Sequence, residues 1–320
     1  MSAEYIRHQQ AIRWIKHSFT EALCKQLHLT EVEAPILTDP SEGVQDGLSG
    51  AETAVQVHVQ SLARSYEVVH SLAKWKRQLL SLQNFPVGTG IVTQMKALRP
   101  LEDLYSPVHS VFVEQWDWEQ VIADHERTAV QLHSTADRVF ASLSEVFHAY
   151  KTRYDSSLTL PTELTKVTSE QLLQWYPKLS PKQREHTIAR ECGAVFIQGI
   201  GGTLSDGSMH DTRAPDYDDW ALNGDLLVWN PVLERSLELS SMGVRVNGPT
   251  LKEQVARVER EELLALPWHQ RLLAGELSQT VGGGIGQSRV VMWMMQQPHI
   301  GCVQASVWPA ALKERYALLA

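Results

Sequence analysis

The strongest chemical signal in this chain is a glycine run, Gly282-Gly283-Gly284-Ile285-Gly286-Gln287-Ser288-Arg289, followed directly by apolar residues 290–295. Glycines let a backbone approach a ligand closely, and a helix N-terminus turns unpaired N–H groups toward negative charge. An arginine one turn into such a helix can aim a bidentate fork at a phosphate. The spacing fits neither G-x-x-x-x-G-K-[ST] nor G-x-G-x-x-G, so P-loop and dinucleotide-binding readings fail. The plainer alternative is a glycine-rich turn packing a helix against a sheet.

A second group comprises Arg99-Pro100-Leu101-Glu102 and then Gln115, Asp117 and Glu119. The last three stand two apart and would share one face of a strand, with Trp116 and Trp118 on the other. The plainer alternative is an amphipathic strand with a solvated polar face, weakened because that face is acid and amide rather than Lys, Thr and Ser. In the third group, 237–245, Glu238, Ser240 and Met242 would share a face. A carboxylate within an apolar strand needs a cation or hydrogen-bond partner; magnesium is one candidate and an arginine salt bridge the plainer one. Asp216, Asp218 and Asp219 crowd around Tyr217, as a binding wall or a solvated loop. His70, His109, His210 and His269 lack zinc-site spacing, and no G-x-S-x-G elbow exists.

The elements that must hold these residues can be read from periodicity. Ile12, Ile15, Phe19, Ala22, Leu23 and Leu27 recur every three to four residues and predict a helix over 5–28. Residues 30–37, with Pro35, read as an edge or interface strand. Alternation predicts strands at 55–59 and from 66, then a helix over 72–82. Segments 90–99 and 110–118, joined by a polar turn, read as an antiparallel hairpin. Helix is expected over 120–150, a linker over 151–165 and a small helical insertion within about 151–192. Short apolar runs at 194–200, 226–232 and 237–246 read as sheet strands, 250–273 as helical and 290–295 as a buried helix. The expectation is one α+β domain over 1–320 with a mainly antiparallel sheet flanked by helices.

Composition narrows the partners. With 29 basic against 37 acidic residues and a net charge of −8, the chain lacks the basic excess of a phosphate-backbone binder, so no nucleic acid is expected. No apolar run of membrane-spanning length exists, and nothing near the start reads as a signal peptide. Cys24, Cys192 and Cys302 stand far apart and are odd in number, which suits a reducing, cytoplasmic setting.

Together these segments resemble the three signature motifs of the class II aminoacyl-tRNA synthetase fold. The first helix with its strand and Pro35 is similar to the first motif, which builds that family's dimer interface. Arg99 and its hairpin resemble the second, whose arginine grips the α-phosphate and the reacting carboxylate. Gly284 to Arg289 resemble the third, whose arginine holds the terminal phosphate of a bent ATP. Longer stretches narrow the resemblance to the ammonia-dependent asparagine synthetases: Gln45-Asp46-Gly47-Leu48-Ser49-Gly50-Ala51-Glu52, residues 70–77, Gln115-Trp116-Asp117-Trp118-Glu119, residues 213–220 and Glu238-Leu239-Ser240-Ser241-Met242-Gly243. The similarity runs from about residue 4 to about residue 313. It departs after Trp220, where the resemblance implies a longer segment before Leu222-Asn223-Gly224-Asp225.

The resemblance implies ATP-dependent conversion of aspartate and ammonia to asparagine through β-aspartyl adenylate, with Mg²⁺, in a homodimer. ATP would be held by Arg99, Glu102, Glu238, Arg245, Gly284, Gly286 and Arg289, with the metal on Glu238 and Asp225. Asp46, Asp117 and Asp218 are candidates for the aspartate ammonium, and Ser71, Lys76 and Ser241 for its α-carboxylate. Gln115 would hydrogen-bond the activated carboxyl, and Asp46 stands first as general base. The rivals are an aspartyl- or asparaginyl-tRNA synthetase and a non-catalytic paralog. A glutamine-dependent synthetase would need an N-terminal catalytic cysteine, whereas the first cysteine is Cys24 on a predicted helix.

Overall fold

The computed structural model describes residues 2–48 and 52–319. Ser49, Gly50 and Ala51 of the quoted asparagine-synthetase stretch lie outside the described residues. The chain opens with α1 (Ser2–Leu27), β1 (Leu29–Glu31), β2 (Leu37–Thr38), β3 (Gln56–Val59), β4 (Arg64–Val68) and α2 (Ala73–Leu82). The hairpin β5 (Gly90–Leu98) and β6 (Phe112–Val121) follows, then α3 (Ala129–Tyr154), β7 (Thr165–Thr168), α4 (Ser169–Trp175) and α5 (Pro181–Cys192). The remainder is β8 (Ala194–Gln198), β9 (Asp218–Asn230), β10 (Arg235–Arg245), α6 (Gly248–Arg257), α7 (Pro267–Leu273), β11 (Thr280–Gly286), α8 (Gln287–Met294) and α9 (Ala310–Arg315).

Eight strands form one sheet in the order β1-β5-β6-β11-β10-β9-β8-β7, and β2-β4-β3 form a small second sheet. Pairing in the large sheet is antiparallel except at its two ends, β1 with β5 and β7 with β8. The segment read as a helical insertion therefore also contributes a strand to the sheet edge. Thr168 and Ser180, each in a capping box, start its two helices.

The core sets the register. Trp116 and Trp118 are fully buried on one face of β6, where the Trp116 ring lies 4.3 Å from Phe19 and its N–H donates to Thr20 Oγ1 at 2.9 Å. Each indole removes roughly 150–250 Å² from water, about 4–6 kcal/mol at ~25 cal/mol per Å². The intervening Gln115, Asp117 and Glu119 are thereby committed to the opposite face.

Two sequence expectations shift here. Residues 112–121 form a strand, so the helix expected from 120 begins at Ala129. Glu238, Ser240 and Met242 do not share a face: the β10–β9 register slips between Glu238 and Ser240. This bulge lets Glu238 and Ser241 both line a cavity while Met242 is buried in the core.

Candidate active site

A cavity of about 410 Å³ opens over β6, β11 and β10. Glycines occupy the middle of its floor because neighbouring side chains lie across them. A Cβ on Gly284 would come within 2.6 Å of Gln115 Oε1; one on Gly282, behind the lining, would come within 2.6 Å of Arg245 Nη2. The run, read as a loop against a helix N-terminus or more plainly as a turn, is mostly central strand; the helix starts only at Gln287. Of the residues singled out from sequence, Asp46, Ser71, Arg99, Glu102, Gln115, Asp117, Asp218, Glu238, Ser241, Arg245, Gly284, Gly286 and Arg289 line this one cavity.

Two guanidinium groups from distant parts of the chain meet there. Arg99 follows β5 and donates through Nη2 to the His70 carbonyl at 3.0 Å; its buried Nε has no hydrogen-bond partner among the described residues. Glu102 stands 4.0 Å from Arg99 Nη1. Arg289, in the first turn of α8, donates to the carbonyls of Val108 at 3.3 Å and Glu238 at 3.1 Å. Its Nη1 lies 3.9 Å from the Glu238 carboxylate. His109, which the sequence reading did not assign, lines the same region 3.6 Å from Glu102. Burial, with Arg289 adding, pushes its imidazole below the ordinary range against the pull of Glu102.

The acids form the deeper wall. Asp46 receives the Ser71 hydroxyl on Oδ2 and the Leu48 N–H on Oδ1 at 2.8 Å. Asp117 receives the Leu72 N–H at 2.9 Å and the ammonium of Lys76. Lys76 itself is fully buried, donates also to the Trp118 carbonyl at 2.9 Å, and does not line the cavity. The expectation that Lys76 touches substrate is therefore replaced: its ammonium offsets Asp117 from behind.

Arg245 also departs from its expected place on ATP. Its nitrogens are taken by Glu119, at 2.7–3.2 Å, and by Asp218 Oδ1 at 2.5 Å, with the Tyr217 ring 5.8 Å away. That leaves it little to offer a phosphate and makes it the counter-charge of the acidic wall. Burial raises the Asp218 carboxyl despite Arg245.

Among the described residues no cluster of three or more His, Cys, Asp and Glu could hold a metal ion alone. Asp225 does not line the cavity, and both its oxygens are held by Arg213. It is thus not free to serve as the metal ligand expected from sequence. Burial pushes its carboxyl up to about 6, against Arg213 and with the negative charge of Glu238 adding. Glu238, on the cavity wall, carries a carboxylate on which Mg²⁺ could sit if phosphates supplied further oxygens, the usual way this ion is bound. Arg213 escaped the sequence reading as a separate residue, although the stretch 213–220 was singled out.

The fold is that of known class II synthetases. The asparaginyl-tRNA synthetase of Entamoeba histolytica, solved with asparaginyl-adenylate, superposes with a TM-score of 0.65 at 13% identity, covering 95% of this chain and 68% of that one. The Pyrococcus horikoshii asparaginyl-tRNA synthetase, also with asparaginyl-adenylate, gives 0.65 at 15% identity, covering 95% and 70%. The Entamoeba histolytica aspartyl-tRNA synthetase gives 0.61 at 13%, covering 96% and 58%. These identities speak for the fold alone. The family model described as aspartate-ammonia ligase matches residues 6–318, nearly the whole chain. With that match spanning all the strands that build the cavity, the chain belongs to the aspartate-ammonia ligase family of enzymes.

Proposed function

We propose that the enzyme amidates aspartate in two steps within this cavity. The β-carboxylate attacks the α-phosphorus of ATP, forming β-aspartyl adenylate and releasing pyrophosphate. Ammonia then attacks the acyl carbon and AMP leaves. The observation that carries this reading is the convergence of Arg99 and Arg289 on one cavity beside an acidic wall.

Arg99 neutralises the charge that builds as carboxylate and α-phosphate approach, a role realised most strongly in the transition state. Its Nε, without a hydrogen-bond partner among the described residues, is a further donor. Arg289, with Glu102 and His109 nearby, faces the leaving pyrophosphate. Gly284 and Gly286 keep the floor low enough for the nucleotide to lie against backbone. Glu238 would hold Mg²⁺, which offsets phosphate charge when bound. Asp117 and Asp218 face the substrate ammonium, Ser71 and Ser241 its α-carboxylate, and Gln115 the activated carboxyl. Asp46 takes the proton that ammonium must lose before it can attack.

The exposed Tyr5, Ile6 and Ile36 on α1 and beside Pro35 suit a second copy of the chain, as the family's first motif implies. Among the described residues no helix is long and apolar enough to cross a membrane. The decisive assay mixes protein, Mg-ATP, aspartate and ammonium. Asparagine and AMP are expected; ADP in place of AMP would contradict the adenylate route. Charging of tRNA with radiolabelled aspartate or asparagine would favour the tRNA synthetase reading instead.

A further inference from the structure

Lys74 in α2, Asp216 in the segment before β9 and His269 in α7 meet out of reach of solvent and outside the cavity lining. One oxygen, Asp216 Oδ2, accepts from the Lys74 ammonium and contacts His269 Nε2 at 2.8 Å. Burial alone would raise the Asp216 carboxyl, but Lys74 and His269 hold it well below the usual range. A buried ion pair is weak evidence for stability, and its better use is to fix a geometry.

The geometry fixed here can be followed bond by bond. Lys74 Nζ also donates to the Gln45 carbonyl at 2.8 Å, and the Trp268 N–H donates to the Lys74 carbonyl at 3.0 Å. Gln45 Oε1 in turn accepts the backbone N–H of Asp46 at 3.1 Å and of His70 at 3.0 Å. Gly43, at φ 74°, starts this loop so close to α7 that a Cβ there would stand 3.2 Å from His269 Nδ1. On the other side, Asp216 is two residues from Asp218. Lys74, Asp216 and His269 thus join the loop that carries Asp46 to the wall that carries Asp218.

We propose that Lys74, Asp216 and His269 are positioning residues that hold the Asp46 carboxylate in register with the acidic wall, and so govern the step Asp46 serves. This rests on the reading of Asp46 as the base for ammonia. A displacement of about 1 Å in such a group can cost ~100-fold in rate. A merely structural triad would depress both half-reactions together.

The test compares His269→Leu, which removes the donor, with His269→Gln, which returns an N–H near the position of Nε2. Asp46→Asn runs in parallel. His269→Leu should lower kcat/KM for ammonium by about 10- to 100-fold, leave aspartate-dependent ATP–pyrophosphate exchange within about twofold, and be largely rescued by glutamine. Should His269→Leu not fold, His269→Asn, polar but too short to reach Asp216, takes its place. Parallel loss of both activities, with Asp46→Asn still step-specific, would overturn the proposal, as would no loss at all. If Asp46→Asn instead loses exchange, its role as base fails, while the clamp stands provided the His269 variant follows it to that step. If Asp46→Asn affects neither step, both ideas fall.

Discussion

Glu119 on β6 and Arg245 on β10 clasp each other across the intervening strand β11, at 2.7 Å between Oε2 and Nη2, over the bare backbone of Gly282. The missing side chain makes the clasp possible. Gly282→Ala should push the pair apart and cost about 3–5 kcal/mol, the usual loss when a buried ion pair is broken. Equilibrium unfolding in urea measures this; a change under about 0.5 kcal/mol, ordinary for a neutral site, would mean the pair tolerates the methyl.

The same pair predicts a pH dependence. Burial would raise the Glu119 carboxyl, but Arg245, with Lys76 and Thr280, outweighs it and leaves it below the ordinary 4.5. A group depressed in the folded state contributes stability above its unfolded value and loses it as pH falls through the folded one. The protein should therefore weaken below about pH 4.5, and Glu119→Gln should flatten that acid slope while lowering stability at neutral pH. Urea midpoints across the acid range decide it, and an unchanged slope would discharge Glu119 from this role.

Arg99→Ala should reduce aspartate-dependent ATP–pyrophosphate exchange by about 100- to 1000-fold, the scale for losing one transition-state donor. The fold should survive, because Arg99 is a partly exposed side chain with one backbone bond among the described residues. Near-normal exchange in the variant would remove Arg99 from its assigned place.

Glu238→Gln should raise the Mg²⁺ concentration needed for half-maximal exchange by at least about tenfold, since disturbing even the groups that orient a metal's ligands costs that much, and leave the KM for aspartate nearly unchanged. Titration of Mg²⁺ at fixed ATP checks it. A variant with an unaltered metal requirement would point to phosphate and water as the sole ligands.

Much of the site was legible because its residues advertise themselves by type. Arg99, Arg289 and the glycines of β11 stood out against their neighbours, and the alternation of Gln115, Asp117 and Glu119 with two tryptophans announced a two-faced strand. Partnership was not legible. Whether a lysine or arginine meets substrate or another side chain depends on burial, which sequence spacing does not reveal. Lys76 proved fully buried behind Asp117, and Arg245 proved spent on Glu119 and Asp218. Asp225 turned out to belong to Arg213. The bulge between Glu238 and Ser240 was equally hidden, since one extra residue reverses the facing of all that follow.

The interleaving on β6 has a consequence for how the enzyme comes into being. A slip of one residue would drive Asp117 and Glu119 into oil and lift Trp116 and Trp118 into the reaction chamber, so no misaligned intermediate of this strand can be both compact and comfortable. The placing of the proposed acidic wall is thus not a refinement added after collapse; it is selected by the same event that dries the interior.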